Sequence, residues 1–342
     1  MQRRYDIDAL RVIAIFLLMF YHSAIVFQPW ANHLLFPRSD ESMEGLWTLM
    51  LALNIWRIPL LFVVSGVGFA FVIRQRTRTQ LLWERTKRIL IPAVFGTLFI
   101  VPVHYWLLLS ATENSYGWPL NPAHLWFLFN IFFYVLVGVL PLYLLRDVEV
   151  SRVFVMVYSL PVLFSIEAVL IPYSEYALFA FTLHGLIVGA ICFNFGFLLA
   201  RSNSWHYLSK SGYFHLVIAL TMYLLRVIVW DNKPPQLSES NLFVSKLLVS
   251  TEASLWLLSA LGVSYRYLNK KTAWLTYLSP AVYPMYILHM IAMYGVCRWV
   301  LPTSLPVELQ LVVVVIFTIG ASYIGYRLIK PIPYLRNLFG MR

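Results

Sequence analysis

Apolar stretches of about 20 residues recur along the chain, each closed off by a short charged or turn-forming stretch, at 9–29, 47–73, 89–111, 124–145, 153–171, 178–200, 214–230, 244–264, 274–297 and 308–328. At ~1.5 Å rise per residue, such a stretch crosses a hydrocarbon core of about 30 Å as one helix. The pattern therefore predicts an all-α fold, a polytopic membrane helix bundle of about ten transmembrane helices. An even count places both termini on one side. The two arginines before the first stretch resemble the start of a signal peptide. However, Asp6, Asp8 and Arg11 interrupt the approach, His22 lies inside the run and no small-residue cleavage site follows, so an uncleaved first span is expected. There is no internal repeat or low-complexity tract, and the loops at 30–46 and 231–243 are too short for domains, so residues 1–342 read as a single membrane-embedded domain.

Composition sharpens this reading. Of the 342 residues, 60% are apolar and 12% charged, and the mean hydropathy is +0.73. With 26 Lys+Arg and 15 Asp+Glu the chain cannot cover a polar surface, which excludes a water-soluble protein. The net charge of +11 would raise the question of nucleic acid, but the positions of the cations answer it. With the N-terminus in the cytoplasm, 20 of the 26 Lys+Arg fall inside, six of them in the 74–88 loop, so the positive-inside rule predicts N-in and C-in. The charge is then a topology signal, and no nucleic-acid partner is implied. Cys192 and Cys297 fall in opposite leaflets of this topology, which argues against a disulfide.

Ionisable groups inside spans cost several kcal/mol unless they face a bundle interior or water, so each is a candidate for function. Depth follows from the rise per residue. His22, His104, Glu167 and His289 lie roughly 20–23 Å above the cytoplasmic boundary, while His184, Glu252 and Arg57 lie roughly 9–15 Å below the outer one. His124 opens the fourth span at that boundary. Snorkelling at the interface is the alternative for His124 and Glu252. His22, Arg57 and His289 sit deeper in strongly apolar sequence and point to a site in the outer half of the bilayer.

Arg11 and His22 are eleven residues apart, three turns plus ~20°, and so share one helical face about 16 Å apart. A cation near the cytoplasm and an imidazole deep in the membrane suit a long, anionic-headed substrate whose reactive end reaches the histidine. Asp8, three residues before Arg11, could orient its guanidinium. Taken alone, Arg11 reads first as an ordinary snorkelling flank residue. Arg85 and Arg88, spaced i and i+3, could bind phosphate or anionic lipid. Trp126, two residues after His124, could line a sugar site or belong to an aromatic belt. Ser65-Gly66 reads as a close helix-packing site. The histidine spacing predicts no metal site, and no Walker, dinucleotide or G-x-S-x-G motif is present.

These residues resemble a known family. Arg4 through His22, with Asp8-Ala9-Leu10-Arg11 and ten residues to His22, is similar to the R-x10-H opening of the acyltransferase family 3 membrane proteins. The resemblance continues through Arg57, Phe62-Val63-Val64-Ser65-Gly66, Arg85-x-x-Arg88 running into Ile91-Pro92, His124-Leu125-Trp126-Phe127-Leu128, and Ser279 through Tyr286-Ile287-Leu288-His289. The stretch from Trp56 to Gly66, with no appended hydrolase-like domain, looks most like the glucans biosynthesis protein C branch. Two positions depart from the family pattern: Ala9 replaces a usual glycine, and Lys330-Pro331 stands where many members have Glu-Pro.

The resemblance implies an O-acyltransferase of the bacterial inner membrane. It would move an acetyl or succinyl group from cytoplasmic acyl-CoA to a hydroxyl of a glycan or related acceptor at the outer face, with no permanently bound cofactor. By the same resemblance the residue at His22 is catalytic, and those at Arg11, Arg85 and Arg88 are required. His22 would act as general base or as transient acyl carrier. Glu167, Glu252 or His289 would orient it, and Arg57 would steady the developing oxyanion. A proton-coupled exporter using the same His/Glu layer is the alternative, as is an acyl-CoA-binding subunit without turnover.

Overall fold

A computed structural model describes residues 3–109, 121–171, 182–230 and 239–341. The described residues are helical with no strand, and a lone bridge joins Val150 to Ser202. In chain order the helices are α1 (Tyr5–Ile25), α2 (Leu46–Asn54), α3 (Arg57–Ile73), α4 (Arg78–Leu109), α5 (Ala123–Leu144), α6 (Val153–Leu170) and α7 (Leu183–Leu199). They continue with α8 (Ser204–Trp230), α9 (Glu239–Leu268), α10 (Ala273–Leu278), α11 (Val282–Val300), α12 (Val307–Ile329) and α13 (Pro333–Leu338).

Among the described residues each predicted apolar stretch overlaps helix, and eight helical segments are long and apolar enough to cross a membrane. The two stretches outside those eight have visible reasons. Helix α7 is apolar but only 17 residues long. Helix α11 carries His289, Arg298 and three tyrosines among its 19 residues. Residues 172–181, on which the sixth predicted stretch begins, lie outside the described residues, and α8 starts at Ser204 rather than at 214. Leu144, Phe154, Leu170, Ile228 and Ile316 are all more than half exposed. Apolar side chains turned outward on this scale are unfavourable in water and favourable in lipid.

Helix α4 departs from regular α geometry twice, as π-turns at Thr86–Leu90 and Gly96–Ile100. Each precedes a proline by one turn. Pro92 has no N–H for the Arg88 carbonyl, and Pro102 has none for the Leu98 carbonyl, so the hydrogen-bond ladder re-routes there.

The chain divides into two compact units. Unit 1 takes residues up to Ala14, Ala52–Trp83 and Phe133–Leu275; Ile15–Leu51, Glu84–Phe132 and the chain from Thr276 form unit 2. In unit 1, α3 and α7 pack backbone to backbone, because a Cβ on Gly66 would strike the Phe193 carbonyl and one on Gly196 the Val63 carbonyl. Ser65, beside Gly66, instead bonds the Leu61 carbonyl at 2.7 Å. Phe69 packs on Phe193 and Phe197 beside this crossing. At the start of α1, Asp6 is fully buried and takes two hydrogen bonds from Arg4 at 2.8 and 2.6 Å, and Arg4 lies 3.8 Å from the Trp205 ring centre.

The core of unit 2 joins Val26 and Phe27 to Met290, Met293, Tyr294 and Cys297 of α11 and to Leu311 and Val314 of α12. Cys192 and Cys297 are both free thiols and buried. Gly340, just after α13, has φ +64°, a conformation open to glycine, and a side chain there would meet the Arg88 carbonyl.

Candidate functional site

Helix α11 positions the site in unit 2. Apolar residues of α11 pack on α12 and on the C-terminal half of α4, which holds His289, fully buried, in place. His289 Nδ1 lies 2.5 Å from the carbonyl oxygen of Tyr286, one turn earlier. A carbonyl oxygen only accepts, so Nδ1 carries the hydrogen, and in the neutral ring Nε2 is left with the lone pair. His22 Nδ1 is 2.9 Å from that Nε2 and must therefore donate. The basic lone pair of neutral His22 is then on Nε2. The rings stack with centroids 5.1 Å apart and 11° between planes, which fixes the orientation of the His22 imidazole as well as its tautomer.

The same turn of α11 fixes a second imidazole. His124, buried at the start of α5, donates from Nε2 to the Ile287 carbonyl at 3.2 Å, and its own carbonyl accepts from the Tyr286 hydroxyl. Its Nδ1 is then an acceptor, buried and without a hydrogen-bond partner. The His124 ring is 5.0 Å from that of His289 and 5.7 Å from that of His104. His104, 1% exposed, also presents a buried Nδ1 with no partner and packs 5.0 Å from the Tyr294 ring. Four imidazoles thus gather in unit 2, with lone pairs on His22 Nε2 and His124 Nδ1. No three His, Cys, Asp or Glu among the described residues are placed to hold a metal ion. The cluster is suited to proton transfer and to binding hydroxyl groups.

His104 was expected at the right depth but carried no assigned role. Its place on α4 between the π-turn at Gly96–Ile100 and the end of the helix brings it against α11. Phe36, 5.7 Å from His22, and Tyr294 complete the aromatic surround, and nothing in the sequence pattern singles them out.

The other predicted residues have different surroundings. Arg11, on the unbroken helix α1, is half-buried, and its NH1 is 3.3 Å from Asp8 Oδ1. Asp8 also accepts from Arg3 at 2.8 and 3.0 Å. Arg85 and Arg88 are half-buried on α4, and Arg88 pairs with Glu84 at 3.3 Å. Trp126 is buried at the start of α5 beside Phe127. Arg57, buried at the first residue of α3, belongs to unit 1. Glu167 and Glu252 also belong to unit 1, with partners of their own. Glu167 accepts from His184 Nδ1 at 2.7 Å, and Glu252 accepts from Arg226 at 2.7 and 3.0 Å and from Trp256 at 3.3 Å.

An all-helical integral membrane protein with a part-buried, tautomer-fixed histidine pair is a membrane enzyme candidate of the acid–base type. A family model described as an acyltransferase domain, that of acyltransferase family 3, matches residues 4–327, and the chain belongs to this family. No curated protein and no solved structure matches the chain.

Proposed function

We propose that the protein is an acyl-CoA-dependent O-acyltransferase of the bacterial inner membrane, with ten spans and both termini in the cytoplasm. It moves an acetyl or succinyl group to a hydroxyl of a glycan or related acceptor at the outer face. The resemblance to the glucans biosynthesis protein C branch favours succinyl. The observation that carries the reading is the His22–His289 pair, which leaves an oriented lone pair on His22 Nε2.

In this reading His22 Nε2 takes the proton of the acceptor hydroxyl as its oxygen attacks the thioester carbonyl carbon. The tetrahedral intermediate collapses with cleavage of the C–S bond. The departing sulfur recovers the proton from His22, giving the ester and free CoA. His289 is the positioning partner. Arg11, oriented by Asp8, and Arg85 and Arg88 are assigned to the donor's phosphates. His124 and Trp126 are assigned to the acceptor, where the acceptor-type Nδ1 of His124 suits a hydroxyl donor. The fixed tautomer serves His22 as the general base of this step, and the same lone pair would serve an acyl carrier.

The test uses the purified full-length protein with acetyl-CoA or succinyl-CoA and glucose oligomers as acceptor. Acceptor-dependent release of free thiol is expected, together with its loss in His22→Ala at unchanged melting temperature. An exporter or a non-catalytic subunit gives no thiol release, and a fully active His22→Ala protein refutes the mechanism.

A further inference from the structure

Unit 2 also contains a cavity of about 540 Å³. Asn32, Phe36, Arg38 and Asp40, from the segment that follows α1, line it together with Tyr294 and Arg298 of α11. Its size is that of a pocket for a small organic ligand. It adjoins the histidine cluster through two rings: Phe36 lies 5.7 Å from His22 and 6.0 Å from Tyr294, and Tyr294 lies 5.0 Å from His104. The Tyr294 hydroxyl is tied to the Leu35 carbonyl at 2.5 Å, so this aromatic wall is anchored to the lining segment.

The lining carries charge of both signs. Elsewhere arginines close to carboxylates pair with them, as Arg4 does with Asp6, Arg88 with Glu84 and Arg226 with Glu252. Arg38 and Arg298, both exposed, have no ion pair among the described residues, and both line the cavity with one acid among its described lining residues, Asp40. Two cations against one anion, next to aromatic faces and an amide, match a ligand that has hydroxyls, apolar C–H faces and a negative group. A guanidinium's fork fits a carboxylate or phosphate best.

We propose that this cavity seats the acceptor, and that the acceptor carries an anionic group, a carboxylate or phosphate, bound by Arg38 and Arg298. The hydroxyl to be acylated is then presented past Phe36 to His22. This rests on the acyltransferase reading of His22 and adds the acceptor's chemical class and its selectivity residues.

The test is equilibrium binding without acyl-CoA, so that it is independent of turnover. Glucuronic-acid oligomers and glucose oligomers of equal length are the probes, and the full-length proteins are wild type, Arg38→Gln/Arg298→Gln, Arg38→Lys/Arg298→Lys and His22→Ala. The uronate is expected to bind about tenfold or more tightly than the neutral oligomer, the scale of a charge-assisted hydrogen bond, and to weaken as salt is raised. That preference is expected to vanish in the double Gln variant, to persist in the double Lys variant and to be unchanged in His22→Ala. Equal affinity for the two oligomers, or a preference untouched by the double Gln change, overturns the proposal. Displacement of the uronate by succinate at similar concentration also overturns it, because the anion would then belong to the donor. Retained turnover in His22→Ala, with the uronate preference intact, would instead refute the catalytic reading while leaving the cavity's assignment standing.

Discussion

Replacing His289 by leucine isolates what the histidine pair contributes. His289 is fully buried and bonds through both ring nitrogens, Nδ1 to the Tyr286 carbonyl and Nε2 to His22 Nδ1. Leucine approximates its bulk, so the packing penalty is small beside the polar one. The change removes the acceptor that holds His22 in its Nδ1–H tautomer. A net hydrogen bond is worth about 1 kcal/mol, and stranding a buried donor costs about 1–3 kcal/mol. At 1.4 kcal/mol per factor of ten, kcat should fall about 10- to 100-fold, provided the His22 orientation matters at the transition state. His289→Gln places an amide oxygen near the position of Nε2 and should recover most of the rate. The double variant His22→Ala/His289→Leu should be no slower than His22→Ala, since the partner acts only through the base. Initial rates of thiol release at saturating acceptor, with KM for acyl-CoA determined alongside, read these effects, and the loss should fall on kcat with KM nearly unchanged. A His289→Leu enzyme with wild-type kcat, or a Gln variant as slow as the Leu variant, refutes the positioning role.

Three further expectations concern other parts of the molecule. Gly66→Ala inserts a methyl into the Phe193 carbonyl across the α3–α7 crossing and should lower stability by about 1–3 kcal/mol, seen as a lower melting temperature in detergent, while Ser65→Ala leaves the crossing intact. Glu252→Ala strands the buried Arg226 guanidinium and should cost about 3–5 kcal/mol, whereas replacing both partners by leucine and methionine should cost less; equal melting temperatures for all three proteins would show that the pair is not a structural one. Arg85→Ala/Arg88→Ala should raise KM for acetyl-CoA about tenfold or more and leave KM for acetyl-pantetheine, which lacks the nucleotide phosphates, nearly unchanged. An equal rise for both donors would refute phosphate binding by these arginines.

The helices were legible in the sequence because lipid imposes one solution on an apolar stretch of this length, a helix that satisfies its own backbone. Their boundaries were less so. The α8 stretch begins with the polar residues His206, Ser209, Lys210 and Ser211, and hydropathy registers them as loop although the backbone there is already helical. The two π-turns of α4 had a visible cause in Pro92 and Pro102, yet their consequence requires geometry. Two extra residues rotate the later part of the helix by roughly 200° relative to an unbroken one, so the face that carries Arg85 gives no guide to the face that carries His104.

The site divides along the same line between what one coordinate fixes and what needs three. Rise per residue placed His22, His104, Glu167 and His289 at one depth, and that ordering is a property of each helix alone. Depth does not say which helix neighbours which. Glu167 is taken by His184, a partner 17 residues away along the chain, and Glu252 by Arg226, 26 residues away. The partner of His22 lies 267 residues away, on α11. Each carboxylate therefore found its partner within 30 residues of chain, and the imidazole of His22 is matched by one from a distant span. The choice of His289 over the glutamates also changes the chemistry, for a neutral imidazole fixes the tautomer of His22 without placing a permanent negative charge beside it. A carboxylate there would stabilise the protonated ring and raise the basicity of His22, whereas the imidazole partner sets the tautomer alone. In the proposed mechanism the imidazole partner fixes the His22 tautomer through the backbone carbonyl of Tyr286, a group that no side-chain substitution can remove.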